Sequence, residues 1–178
     1  MKIFRMSTVL AAFSCAFALA GCAGYSWRSG VPERMRTVAV PAFPNETDVT
    51  GLGDAVTRQI LREIQREGTF KIAKQGESAV EIQGILEKAS SKVVAYSRAT
   101  GARNREHSLS VSAKVSFIDK IGGKVVVNDR VYRAETSFLA GDDIATGRRD
   151  ARSRLAEELA RRIVDDLTAV DWKQKEVK

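Results

Sequence analysis

Hydrophobic positions with a helical period predict two helices in this chain. Within residues 52–67 an apolar side chain recurs at every fourth position, and a longer stripe of the same kind runs through residues 142–168. The first stripe consists of Leu52, Val56, Ile60 and Ile64. We expect Asp48 or Thr50 to cap the start of the first helix, and Gly68 to end it in the left-handed conformation.

Alternating apolar and polar residues predict strands, most clearly over residues 106–119. The face expected to be buried carries Leu109, Val111, Ala113, Val115 and Phe117. The opposite, polar face carries Ser110, Ser112, Lys114 and Ser116. Further strands are predicted at residues 37–43, 79–89 and 125–138, with a short extended piece at residues 70–73.

The segments between the later strands have the composition of turns. A pair of glycines within residues 120–124 predicts a tight turn, because glycine adopts positive φ at little cost. Residues 90–106 are polar and basic, and we expect them to form the long tip of a hairpin. A bulge is predicted at Asn128 and Asp129, where the alternation of the last strand is interrupted.

The predicted order of elements is β-α-β-β-β-α, which places the chain in the α+β class. Two amphipathic helices and a sheet with one apolar face should pack as a two-layer sandwich. The sheet is expected to have four strands, mostly antiparallel, with both helices on one face. The first β-α-β unit would be a right-handed crossover, and the last three strands an antiparallel meander. Residues 36–172 would form this single domain, followed by a charged tail at residues 173–178.

Residues 1–21 have the layout of a secretory signal peptide. Lys2 and Arg5 precede an uncharged apolar run of about 15 residues, which is shorter than the ~20 residues of a membrane-spanning helix. The run ends in Leu-Ala-Gly-Cys at residues 19–22, which resembles the lipobox of bacterial lipoproteins. That resemblance implies cleavage before Cys22 and a covalent N-acyl diacylglycerol lipid on this residue, a stable membrane anchor.

The residues after the lipobox indicate the membrane in which the protein is anchored. Ala23 stands where an aspartate would resemble a signal for retention in the inner membrane, so the sequence favours the outer membrane, on its periplasmic side. Residues 22–35 would be the lipidated cysteine and a tether to the domain. Within the tether, Tyr25 and Trp27 would either contact the membrane interface or a partner, or pack on the domain.

Charge narrows the class of partner once the signal peptide is removed. The chain has 178 residues and a formal net charge of +7, and loss of residues 1–21 would leave 157 residues and +5. The lipidated Cys22 would then be the one remaining cysteine, so no free thiol is expected. A basic chain can bind nucleic acid, an anionic membrane or an anionic ligand, and secretion argues against nucleic acid.

Candidate catalytic residues are few. His107 is the single histidine, has no nucleophile motif beside it, and is expected at the surface. Asp142 and Asp143 are more simply explained as acids in the first turn of a helix than as a metal pair. The glycine pairs lack the lysine and hydroxyl residue of a phosphate-binding loop. The sequence therefore predicts a protein that is not an enzyme and has no metal or soluble cofactor.

Two groups of basic residues are candidates for anion binding. The group around the predicted hairpin tip consists of Lys88, Lys92, Arg98, Arg103 and Arg105. It would either bind phosphates or serve as a solvated loop that keeps the protein soluble. The second group, Arg148, Arg149, Arg152 and Arg154, is expected to form a salt-bridged helix face with Glu157 and Glu158.

These features together resemble the lipopolysaccharide-assembly lipoproteins of the LptE family. The matching parts are the lipobox with Tyr25 after it, the segment at residues 36–43 followed by Asn45-Glu46-Thr47, the first helix with Gly68-Thr69-Phe70-Lys71 after it, the Ser-rich strand, the glycine turn, and the terminal helix ending near Trp172. The resemblance covers nearly the whole mature chain and is most specific over residues 36–70.

The resemblance implies an outer-membrane lipoprotein that plugs the lumen of the large LptD β-barrel and supports assembly of that barrel. It also implies binding of lipopolysaccharide and help with its insertion into the outer leaflet. Lipopolysaccharide carries phosphates, which Lys92, Arg98, Arg103 and Arg105 would contact. The small polar face formed by Ser110, Ser112, Lys114 and Ser116 would lie against the polar interior of the barrel.

Residues 38–47 and the following helix also resemble other outer-membrane lipoproteins, namely activators of peptidoglycan synthases and subunits of the curli secretion pore. A pore subunit should have a further membrane-inserting hairpin, and the serine face of residues 108–138 lacks a lipid-facing apolar band. A synthase activator should have a longer tether than residues 23–35, since it must reach the cell wall. We therefore favour the LptE interpretation over this alternative.

Overall fold

The structure, a computed structural model, describes residues 30–96, 105–140 and 144–172. Its elements are a 3₁₀ turn at Glu33–Met35, β1 (Thr37–Ala39), α1 (Leu52–Glu67), β2 (Lys71–Ile72), β3 (Val80–Tyr96), β4 (Arg105–Asp119), β5 (Lys124–Ala140) and α2 (Ile144–Ala169). Within the described part of the chain, no helix combines the length and the apolar character needed to span a bilayer.

The five strands form one mixed sheet in the order β2-β1-β3-β4-β5. β1 pairs in parallel with both β2 and β3, whereas β3, β4 and β5 form an antiparallel meander. The α+β class and the two helices are confirmed, but the prediction of a four-stranded sheet is wrong. The additional strand, β2, exists because β1 offers it a free edge. The Lys71 N–H donates to the Arg36 carbonyl at 2.7 Å, and the Ala73 N–H donates to the Val38 carbonyl at 2.9 Å.

β3 and β4 form a hairpin that is longer than the sequence pattern indicates. β3 continues to Tyr96, which pairs with Arg105, so the prediction that residues 90–106 form a tip is wrong for both of its ends. The remaining tip, residues 97–104, lies outside the described residues. The pattern gave no strand signal at residues 90–94 because all five side chains are exposed, and backbone pairing alone continues the strand.

The second half of the meander follows the prediction closely. Residues 120–123 form the turn, with Gly123 at a φ of 62°. Val115 pairs with Arg130 and Phe117 with Val127, so Ser116 lies opposite two residues, Asn128 and Asp129. This confirms the bulge predicted from the interrupted alternation.

The core lies between one face of the sheet and the two helices. All five β4 residues predicted to be buried, Leu109, Val111, Ala113, Val115 and Phe117, belong to it, as do the four α1 stripe residues. α2 contributes Ala151, Leu155, Leu159, Ile163 and Leu167. Trp172 closes the core after α2. Its indole N–H donates to the Leu167 carbonyl at 3.0 Å, and its ring packs edge-on against Phe70.

The two ends of α1 differ in how well the sequence predicted them. Gly68 ends the helix with a φ of 82° and donates its N–H to the Ile64 carbonyl at 3.1 Å, as expected. The predicted cap by Asp48 or Thr50 is wrong, because Gly51 occupies the N-cap position and no side chain caps the helix. Asn45 instead organises the preceding loop, donating from Nδ2 to the Val49 carbonyl at 2.9 Å.

The packed part of the chain begins before residue 36. Val31 and Met35 are only 1% and 2% exposed and belong to the core. Residues 31–35 are therefore anchored to the domain, although their composition placed them in the tether. Glycine, serine and proline without a period do not reveal two isolated side chains that become buried.

Candidate functional site

The face of the sheet opposite the helices is the candidate functional surface, and we call it the open face. It consists of the alternate side chains of β3, β4 and β5 that point away from the core. On β4 these include the four residues predicted from the sequence, Ser110, Ser112, Lys114 and Ser116, all of which are partly exposed. On β3 and β5 they include Gln83, Ile85, Lys88, Ser90, Lys92, Val131, Arg133, Glu135 and Ser137.

Polar side chains on the open face bond to one another across neighbouring strands. Lys114 Nζ lies 2.7 Å from Glu87 Oε1. This hydrogen bond, and the attraction of the same carboxylate, raise the pKa of Lys114 above its ordinary value. The Asp129 N–H donates to Ser116 Oγ at 2.9 Å, and the Ser108 hydroxyl donates to Glu135. The open face is therefore largely polar apart from Ile85 and Val131, and several of its polar side chains are held in a defined arrangement.

The candidate phosphate-binding residues lie at the far end of the β3–β4 hairpin. Lys92 is exposed on the open face and pairs with Ser108. Arg105 begins β4, opposite Tyr96, so the hairpin brings Lys92 and Arg105 to the same end of the sheet. Arg98 and Arg103 lie outside the described residues.

Arg148, Arg152 and Arg154 of α2 contact other elements, so the prediction of a helix face salt-bridged with Glu157 and Glu158 is wrong for these three residues. Arg148 Nη2 lies 3.1 Å from Asp48 Oδ2, and Arg152 donates to the Thr50 carbonyl at 2.9 Å. Arg154 donates to the Ser137 carbonyl at 2.8 Å. Glu158 pairs instead with Arg161 and Arg162. Helix periodicity missed these contacts because it does not indicate which loop or strand lies beside a helix.

The contacts of α2 create a basic recess and a capped sheet edge. The recess, about 250 Å³ in volume, lies between residues 48–50 and the start of α2 and is lined by Arg148, Arg149 and Arg152. Along the free edge of β5, Arg162 donates to the Arg133 carbonyl as Arg154 does to that of Ser137. Arginine side chains thus occupy acceptors that an incoming strand would need.

A groove of about 380 Å³ lies at the other end of the open face, beside the segment that follows β1. Pro41, Ala42 and Pro44 form one wall, and Lys114, Ser116 and Asp129 lie on the other side. Glu81 lines the groove although its side chain is only 1% exposed. Alternation along residues 79–89, with Val80, Ile82 and Leu86 on the apolar side, predicts Glu81 on the polar face, but the sequence carries no signal that it is buried there.

Several other candidate residues have different surroundings from those expected. His107 was expected at the surface, but it is half-buried on the helix side of the sheet, and its ring stacks on Phe138 with centroids 5.4 Å apart. Within the described residues, no three His, Cys, Asp or Glu side chains are grouped so as to hold a metal ion. Cys22, Tyr25, Trp27, Asp142 and Asp143 lie outside the described residues.

Solved structures with the same architecture support the assignment of the fold. Protein XCC0632 from Xanthomonas campestris is similar with a TM-score of 0.55 and 9% identity, over 75% of this chain and 84% of that one. The minor lipoprotein from Acinetobacter baumannii is similar with a TM-score of 0.50 and 10% identity, over 76% and 94% of the two chains. The hypothetical protein CT253 from Chlamydia trachomatis has a TM-score of 0.50 and 12% identity, over 76% and 97%. No curated protein sequence matches the chain significantly.

The fold and its open face define a two-layer α+β protein with a largely polar, uncovered sheet surface. The family model described as "LptE: Lipopolysaccharide-assembly" matches residues 35–167, which is most of the described domain. The chain therefore belongs to the LptE family of lipopolysaccharide-assembly proteins.

Proposed function

We propose that this protein is a lipid-anchored, non-enzymatic component of lipopolysaccharide assembly at the outer membrane. It occupies the lumen of an LptD-like β-barrel, supports folding of that barrel, and binds lipopolysaccharide. The observation that carries the proposal is the family match over residues 35–167. The lipobox at residues 19–22 supplies the anchor, with Cys22 as the lipidated residue facing the periplasm.

The open face supports the proposed contact with a barrel. The interiors of outer-membrane barrels are polar. Ser110, Ser112 and Ser116 are small and partly exposed, so a polar wall can approach the backbone of β4 closely. Lys114 is paired with Glu87, and a paired cation is easier to cover than a free one. We therefore assign the contact with the barrel to these four residues of β4.

The far end of the β3–β4 hairpin supports the proposed contact with lipopolysaccharide. Lys92 is exposed there and pairs with Ser108. Arg105 lies three strand positions from Ser108 toward the tip, next to residues 97–104, which contain Arg98 and Arg103. Arginine and lysine bind phosphate through charge-assisted hydrogen bonds. We assign binding of the phosphates to Lys92, Arg98, Arg103 and Arg105.

Affinity capture of the full-length protein from detergent-solubilised envelopes tests the main proposal. We expect a β-barrel of much larger mass to co-purify, and depletion of the protein to reduce lipopolysaccharide at the cell surface. Recovery of the protein alone, with surface lipopolysaccharide unchanged on depletion, would contradict it. Capture of a peptidoglycan synthase or of curli secretion subunits in place of a barrel would support the alternative class of lipoprotein.

Charge reversal tests the assignment of the phosphate contacts. Replacing Lys92, Arg98, Arg103 and Arg105 together with glutamate should weaken binding of purified lipopolysaccharide, and the wild-type binding should weaken with added salt. A control variant reverses four exposed cations away from this end, Arg58, Arg62, Lys71 and Lys74. Equal binding by both variants and the wild type would show that these four residues do not bind the phosphates and form only a solvated loop.

A further inference from the structure

The basic recess gathers three arginines around one small opening in the layer formed by the two helices. Arg148, Arg149 and Arg152 lie near the start of α2, and residues 48–50, which precede α1, form the opposite wall. Among the described residues that line the recess, Asp48 is the one carboxylate, so the lining carries a formal net charge of +2. Positive charge concentrated in a recess attracts anions.

Two of the three arginines are held in place by the loop before α1. Arg148 Nη2 lies 3.1 Å from Asp48 Oδ2, and Arg152 Nη1 donates to the Thr50 carbonyl at 2.9 Å. Each bond engages one nitrogen of a guanidinium, and the other two nitrogens donate no hydrogen bond within the described residues. The Arg148 side chain is 36% exposed, so a ligand can reach it. The loop therefore positions both groups and leaves them donors to spare.

Arg149 has no partner among the described residues. It is exposed, and it makes neither a hydrogen bond nor an ion pair with them. Arg148 and Arg152 are four residues apart on α2, and like charges at this spacing destabilise a helix. The local fold therefore does not depend on Arg149, and an anion between the three guanidinium groups would relieve their repulsion.

The donors of the recess suit a phosphate group better than a carboxylate. A guanidinium binds either anion through two parallel N–H···O bonds, so a carboxylate is matched by a single arginine. A phosphate monoester has three free oxygens and a charge of about −1.5 to −2 at pH 7, so it can bond to several guanidinium groups at once. The recess, about 250 Å³, is smaller than the roughly 300–1,000 Å³ of pockets for drug-sized ligands, so it fits a headgroup and not a whole lipid.

We propose that the basic recess binds a phosphate group, with Arg149 as its main donor and with Arg148 and Arg152 as donors that the loop positions. This inference goes beyond the proposed function, which assigns phosphate contacts only to the far end of the β3–β4 hairpin. The phosphate group can come from two sources, namely the phosphorylated sugars of lipopolysaccharide or small phosphate compounds in solution. Both sources present the same chemistry to the recess.

Calorimetric titration of the purified full-length protein in detergent tests the inference, with inorganic phosphate, glucosamine 1-phosphate and lipopolysaccharide as separate ligands. Arg149→Gln should weaken phosphate binding about tenfold, because a charge-assisted contact is lost, and it should unfold at the wild-type temperature. Arg58→Gln is the matched control, because Arg58 is exposed on α1 and lies outside the recess. This control should bind each ligand as the wild type does.

A second pair of variants tests the recess without removing an arginine. Ala145 is exposed and lines the recess at the start of α2. Ala145→Glu places a carboxylate there, at the end of a helix where an acidic residue is favourable. It should bind phosphate at least tenfold more weakly than Ala145→Gln, which has the same shape without the charge. Acetate should bind the wild type far more weakly than phosphate does.

The outcomes either identify the source of the phosphate or overturn the inference. Weaker binding of lipopolysaccharide as well as of the small ligands by Arg149→Gln assigns the recess to lipopolysaccharide, and an effect on the small ligands alone assigns it to phosphate in solution. Absence of phosphate binding by the wild type, equal binding by Arg149→Gln and Ala145→Glu, or equal binding of acetate and phosphate would overturn the inference. None of these results bears on capture of a barrel, so the proposed function would stand.

Discussion

Replacing Gly84 with alanine tests how one wall of the groove is held in place. Gly84 lies in β3 opposite Val115, and a Cβ there would be 2.2 Å from Cε1 and 2.6 Å from Cζ of Phe43. Phe43 is buried, and its N–H donates to Thr57 Oγ1 at 3.0 Å. The absence of a side chain at Gly84 thus allows the Phe43 ring to lie directly on the strand and fixes residues 41–44.

The distances set the size of the expected effect. Carbon atoms that are not bonded prefer separations of roughly 3.5–4.0 Å, so the ring or the strand would have to move by about 1.3 Å. Overpacking of this kind typically costs about 1–3 kcal/mol. We expect Gly84→Ala to lower the free energy of unfolding by about 2–3 kcal/mol and to displace the groove wall.

A double-mutant cycle with Phe43→Ala isolates this contact. Removing the ring alone should cost about 3–5 kcal/mol. Without the ring, Gly84→Ala should cost nothing, or stabilise the strand by up to about 1 kcal/mol, because alanine loses less backbone entropy than glycine. Urea unfolding in mild detergent, followed by the fluorescence of the buried Trp172, measures each free energy.

The control for the cycle is Gly30→Ala, because a Cβ at Gly30 meets no atom within 4 Å. Its effect should stay below about 0.5 kcal/mol. An effect of Gly84→Ala as small as that of the control, or additivity of the Gly84 and Phe43 substitutions, would contradict a direct contact between these two positions.

Three further predictions concern the second helix, the sheet edge and the anchor. Burial, and a hydrogen bond to Asp166, raise the pKa of Tyr132, so an unfolded chain releases this proton near pH 10 while the folded chain keeps it. Above about pH 10 the free energy of unfolding should therefore fall more steeply in the wild type than in Tyr132→Phe, by up to ~1.4 kcal/mol per pH unit. Parallel pH curves for the two proteins would contradict this. Replacing Arg154 and Arg162 together with alanine frees two edge carbonyls of β5, so sedimentation should show self-association; a monomeric double variant would argue against edge protection. Cys22→Ser should abolish labelling with palmitate and release the protein from the membrane fraction, and persistent labelling would show that another residue carries the lipid.

The sequence alone determined the elements whose pattern reflects burial on one face. In β4 every second residue from Leu109 to Phe117 is buried, so apolar residues alternate with polar ones along the sequence. The apolar stripe of α1 and the end of this helix at Gly68 could also be predicted, because each depends only on residues that are close in sequence. The bulge at Asp129 was visible because one extra residue shifts the alternation.

Features that depend on which distant segments meet could not be predicted from the sequence pattern. β2 has two exposed side chains and becomes a strand because β1 lies beside it. The α2 arginines form plausible pairs with glutamates along the helix, yet Arg148, Arg152 and Arg154 bond to loops and strands that are remote in sequence.

Glu81 shows the same division within the candidate site. Local alternation puts it on the polar face of β3, and that assignment holds. Its burial depends on Gln75 and on the segment at residues 41–44, which come from two other parts of the chain. Periodicity records which side of a strand a residue occupies. It does not record what covers that side, and coverage is what turns a surface carboxylate into a buried one.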